Sequence, residues 1–523
     1  MRTALHRLCL LALLALPLAA RAGDAGDYAA ADPAGQARLL QAWAAAPDPA
    51  RLALLEALQQ GRVAVDGDGR PFLAEGDAWR GLENAAAPVG PARPLRLNNR
   101  LRGLLNGALA SHRLLAADPA VRLAAAQQLQ RGVQPEQGPL LERCLAEERD
   151  EAVREALQQA QANLQLTAPD PAVRLAAVRR LGDSGAPEAK ARLAALLAPG
   201  AEPDAAVRTA AATGLAQVER RLKMGELLGQ AFGGLSLGSI LLLAALGLAI
   251  TFGLLGVINM AHGEMLMLGA YCTYGVQLLF RKLAPDALAF YPLAALPVAF
   301  LVTAAVGMAL ERAVIRHLYG RPLETLLATW GISLILIQLV RLLFGAQNVE
   351  VANPAWLSGG LQVLPNLVLP YNRLAIVGFA LFVVLLVWLL LNRTRLGLNV
   401  RAVTQNRNMA ACCGVPTGRV DMLAFGLGSG IAGLGGVALS QIGNVGPDLG
   451  QSYIIDSFLV VVLGGVGQLA GSVFAAFGLG IANKVLEPAI GAVLGKILIL
   501  GLIILFIQKR PQGLFALKGR VID

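Results

Sequence analysis

Apolar positions along this chain follow two rules, and the rule changes near residue 230. Over 23–225 they recur at helical spacing among Ala, Arg, Glu and Gln, as in LAAAQQLQ (123–130) and LAAVRRL (175–181). From Phe232 onward they form long Gly-rich runs with charge gathered at the ends. The pattern predicts an all-α chain: a soluble helical domain over 23–225, then a polytopic α-helical membrane domain over 226–523 with about eight or nine spans. Candidate spans are 235–256, 262–280, 291–312, 324–344, 374–392 and 421–441. The stretch 454–508 is interrupted at Gly464-Gly465-Val466-Gly467-Gln468 and at Glu487-Pro488. Three short crossings are expected there, with one crossing plus a re-entrant loop as the alternative.

The first residues add a compartment. Arg2 and Arg7 precede an apolar run from Leu8 to Leu18, followed by Ala20-Arg21-Ala22. This is the order of a signal peptide over 1–22, and the run is short for a membrane span. Cleavage after Ala22 exports the soluble domain; a retained anchor is the alternative. Cys9 then leaves with the signal, and Cys144 is the single cysteine of the exported domain, so helix packing alone must hold it.

That domain repeats itself. DPAVR occurs at 118–122 and again at 170–174, with echoes EAVRE (151–155) and DAAVR (204–208). Asp-Pro supplies a helix N-cap and a first-turn proline. Each copy opens an apolar-periodic segment, a pattern that resembles stacked HEAT-like repeats. The piece 48–77 reads as a helix followed by a small hairpin with a turn at Asp68-Gly69. The domain is expected to dock a partner or to be an accessory without a ligand of its own.

The formal net charge of +10 raises nucleic acid as a partner, but its distribution argues against one. Arg312, Arg316 and Arg321 follow one span, Arg393 to Arg407 another, and Lys509 to Arg520 the last. Such clusters at span ends are what the positive-inside bias produces. They predict an exported N-terminal domain, cytoplasmic arginine loops and a cytoplasmic C-terminus.

Candidate chemistry lies inside the spans. Residues 246–275 carry Asn259, His262 and Glu264 between apolar runs. Polar groups at such depth are costly, so they face a pathway or bond between helices. Gln468 joins them as a pathway candidate, because broken helices at membrane depth sit in protein or line a watery cavity. Gly-x-x-x-Gly pairs at 234/238, 426/430, 467/471 and 491/495 predict close helix packing. Gly491 to Lys496 is one residue short of a phosphate loop and lacks its Ser/Thr. No nucleotide, metal or other cofactor site is therefore expected on this chain.

GVINMAHGEMLMLGAY (256–271) resembles the signature of branched-chain-amino-acid-type ABC permeases. VGPDLGQSYIIDSFLVVVLGGVGQLAGSVFAAFGLG (445–480), with the sequence following it to 520, resembles the permease subunits of urea ABC transporters that carry an exported N-terminal extension. The resemblance covers about 225–520. It implies a second permease subunit, two ATP-binding subunits, a periplasmic solute-binding protein and a lipid bilayer as partners. It also implies an ATPase coupling loop at Asn408, Met409, Ala410, Ala411 and Gly414, in a degenerate form: Ala410 and Gly414 match, whereas Asn408 and Met409 replace Glu and Ala.

Urea is neutral and planar, and Asn259, His262, Glu264 and Gln468 offer donors and acceptors for it. Asp448 and Asp456 are assigned to the outer edge, for docking the solute-binding protein or capping a helix. No cation inside the spans stands opposite Glu264, which favours a neutral solute. The expected function is thus an ATP-driven urea importer subunit. The alternatives are an importer of branched-chain amino acids or short amides, a stand-alone urea or amide channel, and a membrane-anchored scaffold; an enzyme fits least.

Overall fold

The computed structural model describes residues 22–66, 70–75, 78–81, 93–95 and 97–515. The expected signal peptide (residues 1–21 of it) and the Asp68-Gly69 turn lie outside the described residues. The chain divides into two compact units, Met1–Lys223 and Met224–Asp523.

In the N-terminal unit, α1 (Ala22–Ala30), α2 (Pro33–Ala45), α3 (Leu52–Gln59) and α4 (Asn99–Arg113) enclose a core containing Tyr28, Leu40, Trp43, Leu55 and Leu105. Strands β1 (Val63–Val65), β2 (Pro71–Glu75), β3 (Ala78–Gly81) and β4 (Arg93–Pro94) form an antiparallel sheet in the order β3-β2-β1-β4. Val63 faces Leu73 across β1 and β2, so the unit holds more than the single expected hairpin. A second two-stranded sheet, β5 (Gly360–Leu364) with β6 (Leu367–Pro370), lies in the C-terminal unit. The chain is therefore mostly helical, not all-α. Short extended segments between helices can satisfy their backbone groups by pairing with one another.

Next come α5 (Pro119–Arg131), α6 (Gly138–Glu147), α7 (Glu151–Gln165), α8 (Pro171–Ser184), α9 (Pro187–Leu196) and the start of α10 (Ala205–Leu255). Asp118 and Asp170 accept from the Ala120 and Ala172 N–H groups, both at 2.9 Å, with proline at the helix start. The next turn makes the same ion pair twice. Arg122 grips Glu148 through Nε and Nη2 at 2.8 and 2.9 Å, and Arg174 grips Glu202 at 2.9 and 2.8 Å. Each arginine also donates to two carbonyls just before its helix, Ala116 and Ala117 or Ala168 and Pro169. The repeated motif thus builds one local device twice: a cap, an ion pair and a bracket on the preceding turn. Its effect shows in the titration of Glu148, which Arg122 pulls down to about 2. Arg174 lowers Glu202 in the same direction.

The C-terminal unit contains the apolar part of α10, then α11 (His262–Leu283), α12 (Tyr291–Ala313), α13 (Pro322–Phe344), α14 (Tyr371–Arg393), α15 (Arg395–Gln405), α16 (Arg407–Cys412), α17 (Thr417–Ser440), α18 (Leu449–Gly464), α19 (Leu469–Ile490) and α20 (Ala492–Lys509). Among the described residues, seven helices are long and apolar enough to cross a membrane. That is fewer than the expected eight or nine, for two reasons. Helix α11 is diluted by His262, Glu264, Thr273 and Gln277, and α18 has only 16 residues.

Helices α11, α12 and α17 form the tightest packing, because α17 is notched with glycine. A Cβ at Gly436 would strike the Leu266 carbonyl, and one at Gly433 would strike Thr303. The Gly426/Gly430 pair receives Met308 and Phe300, and Gly234/Gly238 receives α19 at Phe477 and Ile481. The Gly491/Gly495 pair does not pack this way: Gly491 has a φ of +83°, and the nearest atom to a Cβ on Gly495 is Leu486 Cβ at 3.7 Å. The expected break at Glu487-Pro488 also moves. Helix α19 continues through Pro488 to Ile490 and ends at Gly491, where a left-handed residue costs glycine little.

Candidate functional site

Helix α10 ends where Gly256 turns to a φ of +66°, and α11 begins at His262. The polar residues expected to carry chemistry start in this turn, and the structure binds them into the fold. Asn259 Oδ1 accepts from the Ala261 N–H at 3.1 Å, which shapes the entry turn. His262 is fully buried, and its Nε2 donates to the Ala244 carbonyl at 2.9 Å, joining α11 to α10. Glu264 is also buried and accepts from Ser333 Oγ on α13 at 2.8 Å. Three polar atoms in this set find no partner: Asn259 Nδ2, His262 Nδ1 and Glu264 Oε2.

Helix α13 supplies partners that sequence reasoning missed. Thr325, Thr329 and Ser333 are buried on one face, spaced four apart, while Leu323, Leu327, Ile335 and Leu342 are exposed. Thr329 Oγ1 accepts from the Met260 N–H at 3.1 Å. The available signal is a period-four polar stripe within an apolar helix.

Gln468 stands at the start of α19, after Gly465 and Gly467, both with positive φ. At this break the Leu514 N–H donates to the Leu463 carbonyl at 2.8 Å and the chain at Gln512–Phe515 covers the buried Gly465, whereas Gly467 is exposed and Gln468 half-buried.

A large cavity among the described residues of this unit lies elsewhere. Its volume is about 550 Å³, and Ser236, Asn348, Arg373, Asn444, Asp448 and Lys484 contribute polar groups to it. None of Asn259, His262, Glu264 or Gln468 lines it. It sits where α13 and α17 end and α14 begins, at the helix ends opposite the 314–321 and 394–416 loops.

The cavity carries both signs of charge. Asp448 pairs with Arg341 at 2.8 Å and Lys484 with Glu487 at 2.6 Å, whereas the Arg373 guanidinium has no partner among the described residues. Asp448 precedes α18 without capping it by its side chain, so the capping expectation gives way to the ion pair. Asp456 lies mid-helix in α18, mostly buried and paired with Lys496 at 2.9 Å. Arg373 was invisible as a site because a charge at the head of an apolar run reads as a span flank.

At the opposite helix ends, the 408–414 segment forms α16 and its exit turn, with Gly414 at a φ of +83°. Asn408, Met409, Ala411 and Gly414 are exposed and Ala410 is buried.

Residues 230–507 match the family model for the permease component of branched-chain amino acid transport systems. The high-affinity branched-chain amino acid permease protein BraD of Pseudomonas aeruginosa is 30% identical over 291 residues, covering 94% of its own length and 54% of this chain. LivH of Escherichia coli K12 is 28% identical with the same coverage, and a probable LivH of Methanocaldococcus jannaschii is 26% identical over 302 residues. No solved structure matches the chain significantly. Those relatives are transport proteins and not enzymes, and this chain carries the apolar helices of a multi-pass membrane protein. With its match from 230 to 507, the chain belongs to the branched-chain amino acid permease family, as the membrane-spanning component of a transport system.

Proposed function

We propose that this chain is a permease subunit of an ATP-driven importer and that the cavity at Arg373 is the vestibule through which solute enters. The positive-inside bias supports an outward-facing cavity, since the arginine-rich loops lie at the other helix ends. A second permease, two ATP-binding subunits seated on α16 and a soluble solute-binding protein complete the reading. The N-terminal unit is then periplasmic, with its repeated Arg–Glu devices forming a HEAT-like stack available to a partner.

The solute reading best supported is a branched-chain amino acid. The observation that carries it is Arg373, a cavity cation without a partner among the described residues and suited to a carboxylate; Asp448, paired with Arg341, lines the same cavity. Arg373 is a cation of the cavity and does not stand opposite Glu264, which does not line it. Urea is the second reading, supported by the resemblance of 445–520 and by an N-terminal unit outside the span matched by the family model.

Uptake of labelled leucine and labelled urea by nitrogen-limited cells, with the chain deleted and restored, separates the two. The amino-acid reading expects leucine uptake to be lost and restored, and Arg373→Gln to raise its KM about tenfold. Loss of urea uptake alone, insensitive to leucine and to Arg373→Gln, would establish the urea reading. Failure of both solutes to respond would overturn the import function.

A further inference from the structure

The expected coupling motif lacks its glutamate at Asn408, yet an ion pair forms one residue earlier and points inward. Arg407 Nη2 donates to Asp421 Oδ2 at 2.5 Å, and its guanidinium lies 4.9 Å from the centre of the Tyr319 ring. Tyr319 Oη donates to Glu311 Oε1 at 3.1 Å. Asp421 and Glu311 are both buried, and each keeps one carboxylate oxygen without a partner. Two buried carboxylates served by one half-exposed guanidinium and one phenol are a costly arrangement for stability alone.

Helix α16 has only six residues, too few to hold a helix by itself. Asn406 caps it by accepting from the Met409 N–H at 2.9 Å, Ala410 is its buried contact, and Arg407 is its polar anchor. The anchor leads to a defined place. Tyr319 packs against the cluster of Val257, Ile315 and Phe425, and Val257 belongs to the 256–261 segment that opens α11. The same segment is held on its other side by the bond from Met260 to Thr329.

We propose that Arg407 is a positioning residue that, through Asp421 and Tyr319, ties the exposed helix α16 to the 256–261 segment, so that displacement of α16 is transmitted to the entry of α11. The proposal rests on the ATP-driven reading only for what displaces α16. Arginine suits this role because its planar head bonds the carboxylate and lies on the ring at once; lysine can do one of these.

Hydrogen exchange on the full chain, purified from its native membrane into lipid discs with whatever ATPase subunits accompany it, tests the tie. Arg407→Ala and Tyr319→Leu are expected to raise exchange at 256–261 about fivefold, with Arg407→Lys intermediate. Solute moved per ATP hydrolysed should fall alongside. Faster exchange confined to 406–414 in an assembled protein would overturn the proposal. If Arg407→Ala does not assemble, because Asp421 is left buried without its cation, the paired variant Arg407→Leu/Asp421→Leu removes both charges. Exchange at 256–261 must still rise in that variant, and an unchanged value there sinks the idea. Absence of copurifying ATPase subunits counts against the ATP-driven reading, whereas the exchange result decides the tie separately.

Discussion

The two units join their polar partners over different distances along the chain. In the N-terminal unit, Arg122 and Arg174 find their glutamates 26 and 28 residues along the chain, each pair closing one turn between neighbouring helices. In the C-terminal unit, Glu264 finds Ser333 at a separation of 69, and Tyr291 donates to Gln441 at 150. The first unit brings its helices together through leucine cores and trims the edges with capped, bracketed ends. The other gains little from burying leucine, since its surroundings are themselves apolar, and draws its helices together by removing side chains at glycine. The lesson is that the solvent decides which residues carry specificity: leucine and caps in water, glycine and internal hydrogen bonds in lipid.

That contrast can be broken. The largest effect is expected from Gly436→Leu, which drives a side chain into the Leu266 carbonyl and costs about 3 kcal/mol or more. The amount of folded protein extracted from membranes should collapse, while Gly501→Leu, with no atom near its Cβ, should be neutral. Next comes Arg174→Ala, which leaves the buried Glu202 without its cation. A loss of stability is expected, read as faster proteolysis within 119–223.

Acid sharpens the same point. Glu148 is held at about 2 by Arg122, below an ordinary glutamate near about 4.3, so the folded form binds the proton less tightly than the unfolded one. Its stabilisation is fully present above pH ~4.3 and fades as pH falls toward ~2. Thermal melting of the N-terminal unit, followed by proteolysis of the intact protein, should be flat from pH ~5 to ~7 and drop below that window. Arg122→Ala should abolish much of the drop. Smaller still, Asp170→Ala removes a cap and costs about 1 kcal/mol in the same assay. Arg143→Ala breaks only the exposed pair with Glu147 and should shift nothing beyond about 0.5 kcal/mol.

Much of the fold was legible. Apolar runs of about the length a bilayer requires located the apolar part of α10, α11 to α14 and α17, and Gly465 and Gly467 did break the chain between α18 and α19. Pro488 misled because a proline near a helix end removes one N–H without forcing a turn, whereas the turn needs the positive φ that Gly491 provides. The candidate site was legible only in part. Asn259, His262 and Glu264 were found because polar residues inside an apolar run are conspicuous, but spacing says nothing about which way they face. His262, inside a span, turns to Ala244 on a neighbouring helix, whereas Arg373, at a span flank, turns to a cavity.

Local order therefore belonged to the sequence by itself: where helices start, which runs are apolar, which Asp-Pro pairs cap, and where arginines collect. These follow from bonds and hydrophobicity acting within a few residues. Only the tertiary structure decided that Arg373 shares a cavity with Asp448, that Arg407 reaches Asp421 and Tyr319, and that Ser333 meets Glu264. Those pairings join distant segments, and a side chain's partner across a helix interface is set by crossing angle and rotation, which glycine notches and close packing determine together.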